Sequence, residues 1–150
     1  MKKIVPVGIV IFLFIGFIVS VPLVNDFTAK NVEKNLIEIA LPDQTEMVES
    51  ISKAGKLVGN GNGMQYFGAI LIRSEKTLDE LPDYYSQKLA GVVVKEQKSQ
   101  IIECVEHAQL SFTTSITDTE KYYIVYLFAT HFRVKYPAVN DTAVITAPRM

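Results

Sequence analysis

Residues Ile4–Val24 read IVPVGIVIFLFIGFIVSVPLV, 21 consecutive residues without a charged side chain. As a helix this segment would be about 31 Å long, which matches the hydrocarbon thickness of about 30 Å that a spanning helix must cross. Because every face of such a helix is apolar, the segment is unlike the amphipathic helix of a small soluble domain. The pattern predicts one membrane-spanning helix that contacts the lipid bilayer through residues 4–24.

A cleaved secretory signal is the alternative, since it would also begin with Lys2, Lys3 and an apolar run. The apolar part of a signal usually covers about 7–15 residues and ends at a small-x-small cleavage site. Here the run is longer, it ends with the sequence FIVSVP at Phe17–Pro22, and the only cysteine, Cys104, is too distant to accept a lipid there. We therefore expect residues 1–25 to be an uncleaved signal-anchor.

Positive charges flank the predicted span unevenly. Lys2 and Lys3 lie directly before it, whereas Lys30 and Lys34 follow it at a greater distance. Cytoplasmic flanks of membrane spans are enriched in Lys and Arg. We expect a cytoplasmic N-terminus in the cell membrane, with the rest of the chain on the extracytoplasmic side.

The anchor also accounts for the mean hydropathy of +0.21, which is high for a small protein. Hydrophobic residues make up 17 of the first 24 positions but only 56 of the remaining 126. The net charge of −1 gives no reason to expect nucleic acid as a partner, and a single cysteine excludes a disulfide framework. Residues 26–150 are of a size and composition typical of one globular domain.

The expected fold of residues 26–150 is α+β, an antiparallel sheet with helices on one face. Asp26 is placed to cap a helix that ends near Ala40, although the spanning helix could run directly into it. A capping box at Thr77–Glu80 predicts a second helix that Gly91 ends. Strands are predicted over Thr45–Val58, Met64–Arg73, Val92–Val94, around Leu110–Phe112 and over Tyr122–Thr130, with a last edge strand at Thr142–Ala147.

A glycine cluster between the first two predicted strands is the one candidate binding site: Gly59, Asn60, Gly61, Asn62 and Gly63. Successive backbone N–H groups in such a loop can bind an anion. However, the Gly-Lys-Ser/Thr ending of a phosphate loop is missing, and a strand rather than a helix follows. A hairpin turn, in which Asn-Gly pairs adopt positive φ, is the favoured interpretation.

Other groups that could carry chemistry are incomplete. Cys104 and His107 have the spacing of half a zinc site, or of a nucleophile and its base, but the only other histidine is His131. The carboxylates of Asp79, Glu80 and Asp83 could do acid–base work, yet negative charge at a helix N-terminus is favourable in itself. We predict no catalytic residues, no metal site and no cofactor.

The segment Glu49–Ser74 (ESISKAGKLVGNGNGMQYFGAILIRS) resembles a family of small uncharacterised bacterial proteins with one N-terminal transmembrane segment. The similarity is clearest over Phe27–Tyr85 and again near Lys121–Tyr126 (KYYIVY). The resemblance implies a bacterial, membrane-anchored protein, for which the glycosylation acceptor at Asn140 has no meaning. The family has no assigned activity, so the resemblance supplies no catalytic residues.

Together these features favour a single-pass membrane protein whose domain binds a membrane-associated protein partner at the outer face of the membrane. A membrane-tethered enzyme of the envelope hydrolase type is the first alternative, with its site near the glycine cluster or near Cys104 and His107. A domain secreted after signal cleavage is the second alternative.

Overall fold

A computed structural model describes residues 4–130 of the chain, with side chains from residue 8 onward. Its elements, in chain order, are α1 (Ile4–Ile37), β1 (Thr45–Gly55), β2 (Gln65–Ser74), α2 (Glu80–Lys88), β3 (Val93–Glu96) and β4 (Tyr122–Thr130). The four strands form one antiparallel sheet in the order β1-β2-β4-β3. The α+β prediction is confirmed. The predicted strand at Thr142–Ala147 and the acceptor at Asn140 lie outside the described residues.

Helix α1 continues without a break from the apolar segment into the sheet-bearing part of the chain. Asp26 lies inside it, so the predicted cap at Asp26 is wrong, and the helix ends at Ile37 rather than near Ala40. A cap is needed only where a helix begins, and here the carbonyl groups of the preceding turn already accept the next N–H groups. Every residue from Gly8 to Val24 is exposed, and burial begins at Ala29.

The central strand β2 is buried on both faces, as its continuous apolar sequence indicates. On one face, Ile70 and Ile72 pack with residues of both helices, namely Leu36, Leu81 and Tyr85. On the other face, the alternate residues of β2 pack with residues of the segment 97–121, namely Ile102, Val105 and Phe112. Both helices therefore lie on one face of the sheet, and an irregular segment covers the other.

The second half of α1 runs alongside β2 and in the same direction. Tyr66, near the start of β2, contacts the helix near Asn25 and Ala29, and Ile70 contacts it near Leu36. Between them, Gly68 lies directly under the helix backbone: a Cβ at this position would be 2.4 Å from the backbone nitrogen of Glu33. Only glycine allows the helix to approach the sheet so closely.

The predicted strand around Leu110–Phe112 is wrong. This part of the chain is irregular and contains a single bridge between Ile101 and Ser111. Phe112 is buried, and its backbone N–H donates to the carbonyl of Gln100 at 2.8 Å. The alternation of apolar and polar residues is therefore real, but it arises because a covering segment packs alternate side chains onto the sheet.

Helix α2 begins with the predicted capping box. The backbone N–H of Glu80 donates to Thr77 Oγ1 at 3.3 Å, and Glu80 Oε2 accepts the backbone N–H of Thr77 at 2.9 Å. The N–H of Leu81 donates to the carbonyl of Thr77 at 3.2 Å, which places the cap at Thr77. The helix ends before Gly91, whose φ of 82° is a conformation that glycine adopts without strain.

Candidate functional site

The glycine cluster lies in the nine-residue connection Lys56–Met64 between β1 and β2, so its interpretation as a hairpin connection is confirmed. The backbone conformation of the loop differs from the expected one, in which Asn-Gly pairs adopt positive φ. Within this connection positive φ occurs only at Gly59, at 68°, and neither Asn60 nor Asn62 adopts it. The loop is thus a longer connection rather than a two-residue Asn-Gly turn.

Side chains from outside the loop hold its first residues in place. Gln65 Oε1 accepts the backbone N–H groups of Leu57 and Val58, both at 2.8 Å, and Gln65 Nε2 donates to the carbonyl of Val58 at 3.2 Å. Leu57 is buried in the core between the sheet and the covering segment. The residues from Gly59 to Met64 are all exposed.

The loop also contacts His107, which belongs to the second candidate group that the sequence indicates. His107 Nε2 lies 2.9 Å from the carbonyl oxygen of Gly59, and Glu106 Oε2 accepts the N–H of Gly59 at 3.0 Å. The backbone N–H groups of Glu106 and His107 both donate to the carbonyl of Leu57, at 2.9 and 3.0 Å. Two candidates that are 48 residues apart in sequence therefore form one junction.

The geometry does not form a nucleophile–base pair from Cys104 and His107. His107 Nε2 is directed at Gly59, and no hydrogen bond joins the imidazole to the Cys104 thiol within residues 4–130. Cys104 instead packs at the margin of the core. Burial raises the pKa of Cys104 to about 11, which is the opposite of the shift that a reactive thiol requires.

The carboxylates at the start of α2 also have a structural role. Glu80 accepts hydrogen bonds from both the N–H and the hydroxyl of Thr77, and these bonds hold its pKa below the ordinary value. Asp79 makes no capping hydrogen bond from its side chain. The arrangement is a helix start rather than an acid–base pair.

The end of the sheet opposite the glycine loop has an open depression of about 560 Å³ around Arg73. Arg73 pairs with the carboxylates of Glu46, at 2.7 Å, and Glu120. The hydroxyl of Tyr122 also donates to Glu120, at 2.6 Å. The guanidinium and both carboxylates are therefore satisfied by one another, and Arg73 is not left as an unpaired cation for a ligand.

Glu33 is the polar residue that sequence reasoning missed. Its side chain is fully buried between α1 and the sheet, and it accepts hydrogen bonds from Lys30 Nζ at 2.7 and 2.8 Å and from Ser50 Oγ at 2.6 Å. Burial acts to raise its pKa, but the hydrogen bonds from Lys30, Ser50 and Ser52 outweigh burial, so the pKa lies below the ordinary value. The group is ionised and satisfied, and it fixes α1 against β1.

Metal-binding geometry is not found in the part of the chain that the structure describes, where no three His, Cys, Asp or Glu side chains come together. The candidate site is therefore the exposed loop with its junction at Glu106 and His107.

No family model, curated protein or solved structure matches the chain. Within α1 the stretch Gly8–Ile37 is long and apolar enough to cross a membrane, which is compatible with either an anchor or a signal sequence.

Proposed function

We propose that the chain is a bacterial single-pass membrane protein whose α+β domain binds a protein partner at the outer face of the membrane. The observation that carries the proposal is the division of α1 into two halves. From Gly8 to Val24 its residues are exposed, whereas Ala29, Val32 and Leu36 are buried in the fold. One rigid element would thus join the bilayer to the domain, without a flexible linker.

Binding is favoured over catalysis because the polar groups near the loop are engaged in structural contacts. Glu106 and His107 bond to Gly59. The thiol of Cys104 has a raised pKa. A tether supports weak recognition, since confinement to the layer next to a membrane raises the effective concentration of a membrane-bound partner.

Affinity capture after chemical cross-linking in intact membranes tests partner binding. The full chain is compared with a control that carries an unrelated domain on the same residues 1–25, which removes proteins recruited by the span alone. A protein captured by the full chain and not by the control supports the proposal. Identical sets of captured proteins would contradict it.

Topology is tested with an introduced cysteine, because a pKa of about 11 makes Cys104 a poor target for thiol reagents. In a Cys104→Ala background, Asp118→Cys lies in an exposed turn. We expect a membrane-impermeant maleimide to label it in intact cells. Labelling only after permeabilisation would place the domain in the cytoplasm.

A secreted domain is the second candidate, and one observation favours it. Since Gly8–Val24 packs against nothing in the described chain, its removal would leave the buried residues of the domain in place. The mass of the mature protein separates the two candidates. Loss of about the first 20–25 residues would identify a cleaved signal, whereas the full mass supports the anchor.

A further inference from the structure

The end of the sheet from which the apolar half of α1 emerges, here called the base, consists of the connection Lys56–Met64. Because Gly55 pairs with Gln65, this connection projects beyond the last residue pair between β1 and β2. Helix α1 and β2 run in the same direction, so the start of β2 lies toward the apolar half of the helix. The base therefore points in the direction of the span.

The contacts of Tyr66 show how far the base lies from the end of the apolar segment along the axis of α1. Its ring packs with Ala29 and Val32, and its hydroxyl donates to Asn25 Oδ1 at 3.1 Å. Ala29 and Val32 lie four and seven residues beyond Asn25, or about 6–10 Å along the helix axis. If the hydrocarbon core ends with the apolar segment at Val24, the headgroup layer begins near Asn25 and is about 5–8 Å thick. A loop that projects from Gln65 toward the span therefore enters this layer.

The exposed residues around the base suit a headgroup layer. Met64 is exposed, and Phe27, three residues beyond the apolar segment, has 68% of its surface exposed. A Cβ added at Gly61 or Gly63 would meet open space, so the tip of the loop packs against no part of the described chain. Apolar side chains in this position are solvated by lipid rather than by water.

The charges around the base are mixed, with basic side chains at the end of β1 and at the start of the connection. Lys53 and Lys56 are exposed beside the loop, and cations near an anionic bilayer surface are attracted to it. Asp26 is exposed on the helix, and Glu106 is held at the N–H of Gly59. The far end of the sheet instead carries the carboxylates around Arg73, about 30 Å away along β2.

We propose that the loop Gly59–Met64 binds the lipid headgroup layer, so that the glycine cluster is a membrane-contact loop rather than a site for a soluble ligand. The inference rests on the anchor of the proposed function. With Phe27 on the helix it gives the domain two contacts with the bilayer surface and fixes its orientation. At Gly59, Gly61 and Gly63 the backbone itself can approach the headgroups, because these positions carry no side chain.

The test uses the full chain in a Cys104→Ser background, reconstituted into phosphatidylcholine vesicles that contain an anionic lipid. A fluorophore is attached in turn to Asn62→Cys in the loop, to Asp118→Cys at the far end, and to Ile15→Cys in the span. Quenching is measured with a nitroxide on the lipid headgroup and, separately, with one on the acyl chain. Each labelled protein is first compared with the unlabelled chain by circular dichroism.

We expect the headgroup nitroxide to quench the label at position 62 strongly and the label at position 118 little. The acyl-chain nitroxide should quench the label at position 15. Equal headgroup quenching at positions 62 and 118, with position 15 still in the acyl chains, would overturn the loop inference and leave the anchor intact. Absence of acyl-chain quenching at position 15 would overturn the anchor, and the loop inference with it.

A charge variant separates the lysines from the apolar contact. Replacing Lys53 and Lys56 by Gln should reduce headgroup quenching at position 62 in anionic vesicles more than in vesicles of phosphatidylcholine alone. The matched control replaces Lys88 and Lys98, which are exposed on α2 and after β3, and should leave the quenching unchanged. If the control pair reduced the quenching as much, general charge rather than the base would account for it, which would contradict the role given to Lys53 and Lys56.

Discussion

Gly68 is the residue at which helix and sheet come closest. A Cβ there would lie 2.4 Å from the nitrogen and 2.8 Å from the Cα of Glu33, and both are backbone atoms that cannot rotate away. Any side chain at position 68 must therefore displace α1. The packing of α1 against the sheet therefore depends on the absence of a Cβ at position 68.

Gly68→Ala should lower the free energy of unfolding by about 1–3 kcal/mol, since overpacking forces backbone movement. The control is Gly61→Ala, where an added Cβ meets open space and φ is not positive. The control should change stability by less than about 0.5 kcal/mol. Denaturant unfolding of the two variants in detergent measures both values, and an equal effect would show that the contact does not constrain α1.

Glu33 gives a prediction in which charge is removed at nearly constant shape. Glu33→Gln keeps the volume but loses the pairing with Lys30, and we expect a cost of about 1–3 kcal/mol. The control is Glu38→Gln, at the residue that directly follows the helix. Its exposed pair with Lys34, at 3.5 Å, should contribute less than about 1 kcal/mol. A loss at Glu33 no larger than at Glu38 would contradict this account of the buried carboxylate.

Tyr85 presents the opposite case, a buried hydroxyl without a hydrogen-bond partner among residues 4–130. Burial raises its pKa to about 12. Tyr85→Phe should be neutral or stabilising by up to about 2 kcal/mol, because an unsatisfied polar group leaves the core. The matched change Tyr66→Phe removes a bond to Asn25 and should cost about 1 kcal/mol. Thermal unfolding ranks the two, and a destabilised Tyr85→Phe would reveal a partner for that hydroxyl.

At the scale of elements, the segment 97–121 covers one face of the sheet with almost no regular structure. Its attachment to β1 depends on Glu49, whose carboxylate accepts the N–H groups of Thr113 and Thr114 and the hydroxyl of Thr114, each at 2.9 Å. Burial acts to raise the pKa of Glu49, but these bonds outweigh it and lower the pKa. One side chain thus fixes the covering segment at Thr113 and Thr114, 64 and 65 residues away in sequence.

Glu49→Gln should loosen this segment, because an amide presents one acceptor oxygen and an NH₂ group to a set of donors. We expect faster hydrogen exchange at Ile102 and Phe112, with little change in α2. Glu46→Gln, on the same strand in an exposed pair with Arg73, should not change exchange in the segment. Unchanged exchange at Ile102 and Phe112 in the Glu49 variant would rule out its role in holding the segment.

The elements that could be predicted from sequence are those whose own residues decide them. Tyr122–Thr130 is an unbroken run of strand-forming residues, and the structure has a strand over those residues. The capping box at Thr77 likewise needs only residues within one turn. The covering segment could not be predicted, because its alternating apolar residues fit an irregular chain on a sheet as well as a strand.

The contacts around the candidate loop were less accessible to sequence reasoning. The glycine cluster and His107 could each be found as a residue pattern, but their contact joins positions 48 residues apart. Glu33 is one of several charges around a helix wheel, and nothing local indicates that it faces Gly68. Buried polar contacts of this kind depend on tertiary packing.

For the molecule as a whole, stability should fall in acid. Glu33 and Glu49 have folded-state pKa values below the ordinary 4.5, so their ionised forms stabilise the fold. Such a contribution is fully present above the unfolded-state pKa and is lost as the pH falls through the folded-state values. The loss of stability should begin near pH 4.5 and continue below it. Unfolding at a series of pH values should show a smaller acid-induced loss in the Glu33→Gln, Glu49→Gln double variant; an unchanged slope would contradict this assignment.

The direction of α1 along the sheet also decides how two copies can meet. Among residues 4–130, β1 is an edge strand of 11 residues, and free edges of this length invite pairing with another chain. Antiparallel pairing of two β1 edges would point the apolar halves of their helices in opposite directions, because α1 runs opposite to β1. In the membrane-anchored protein that we propose, neighbours in the same bilayer could not join their sheets by this antiparallel pairing.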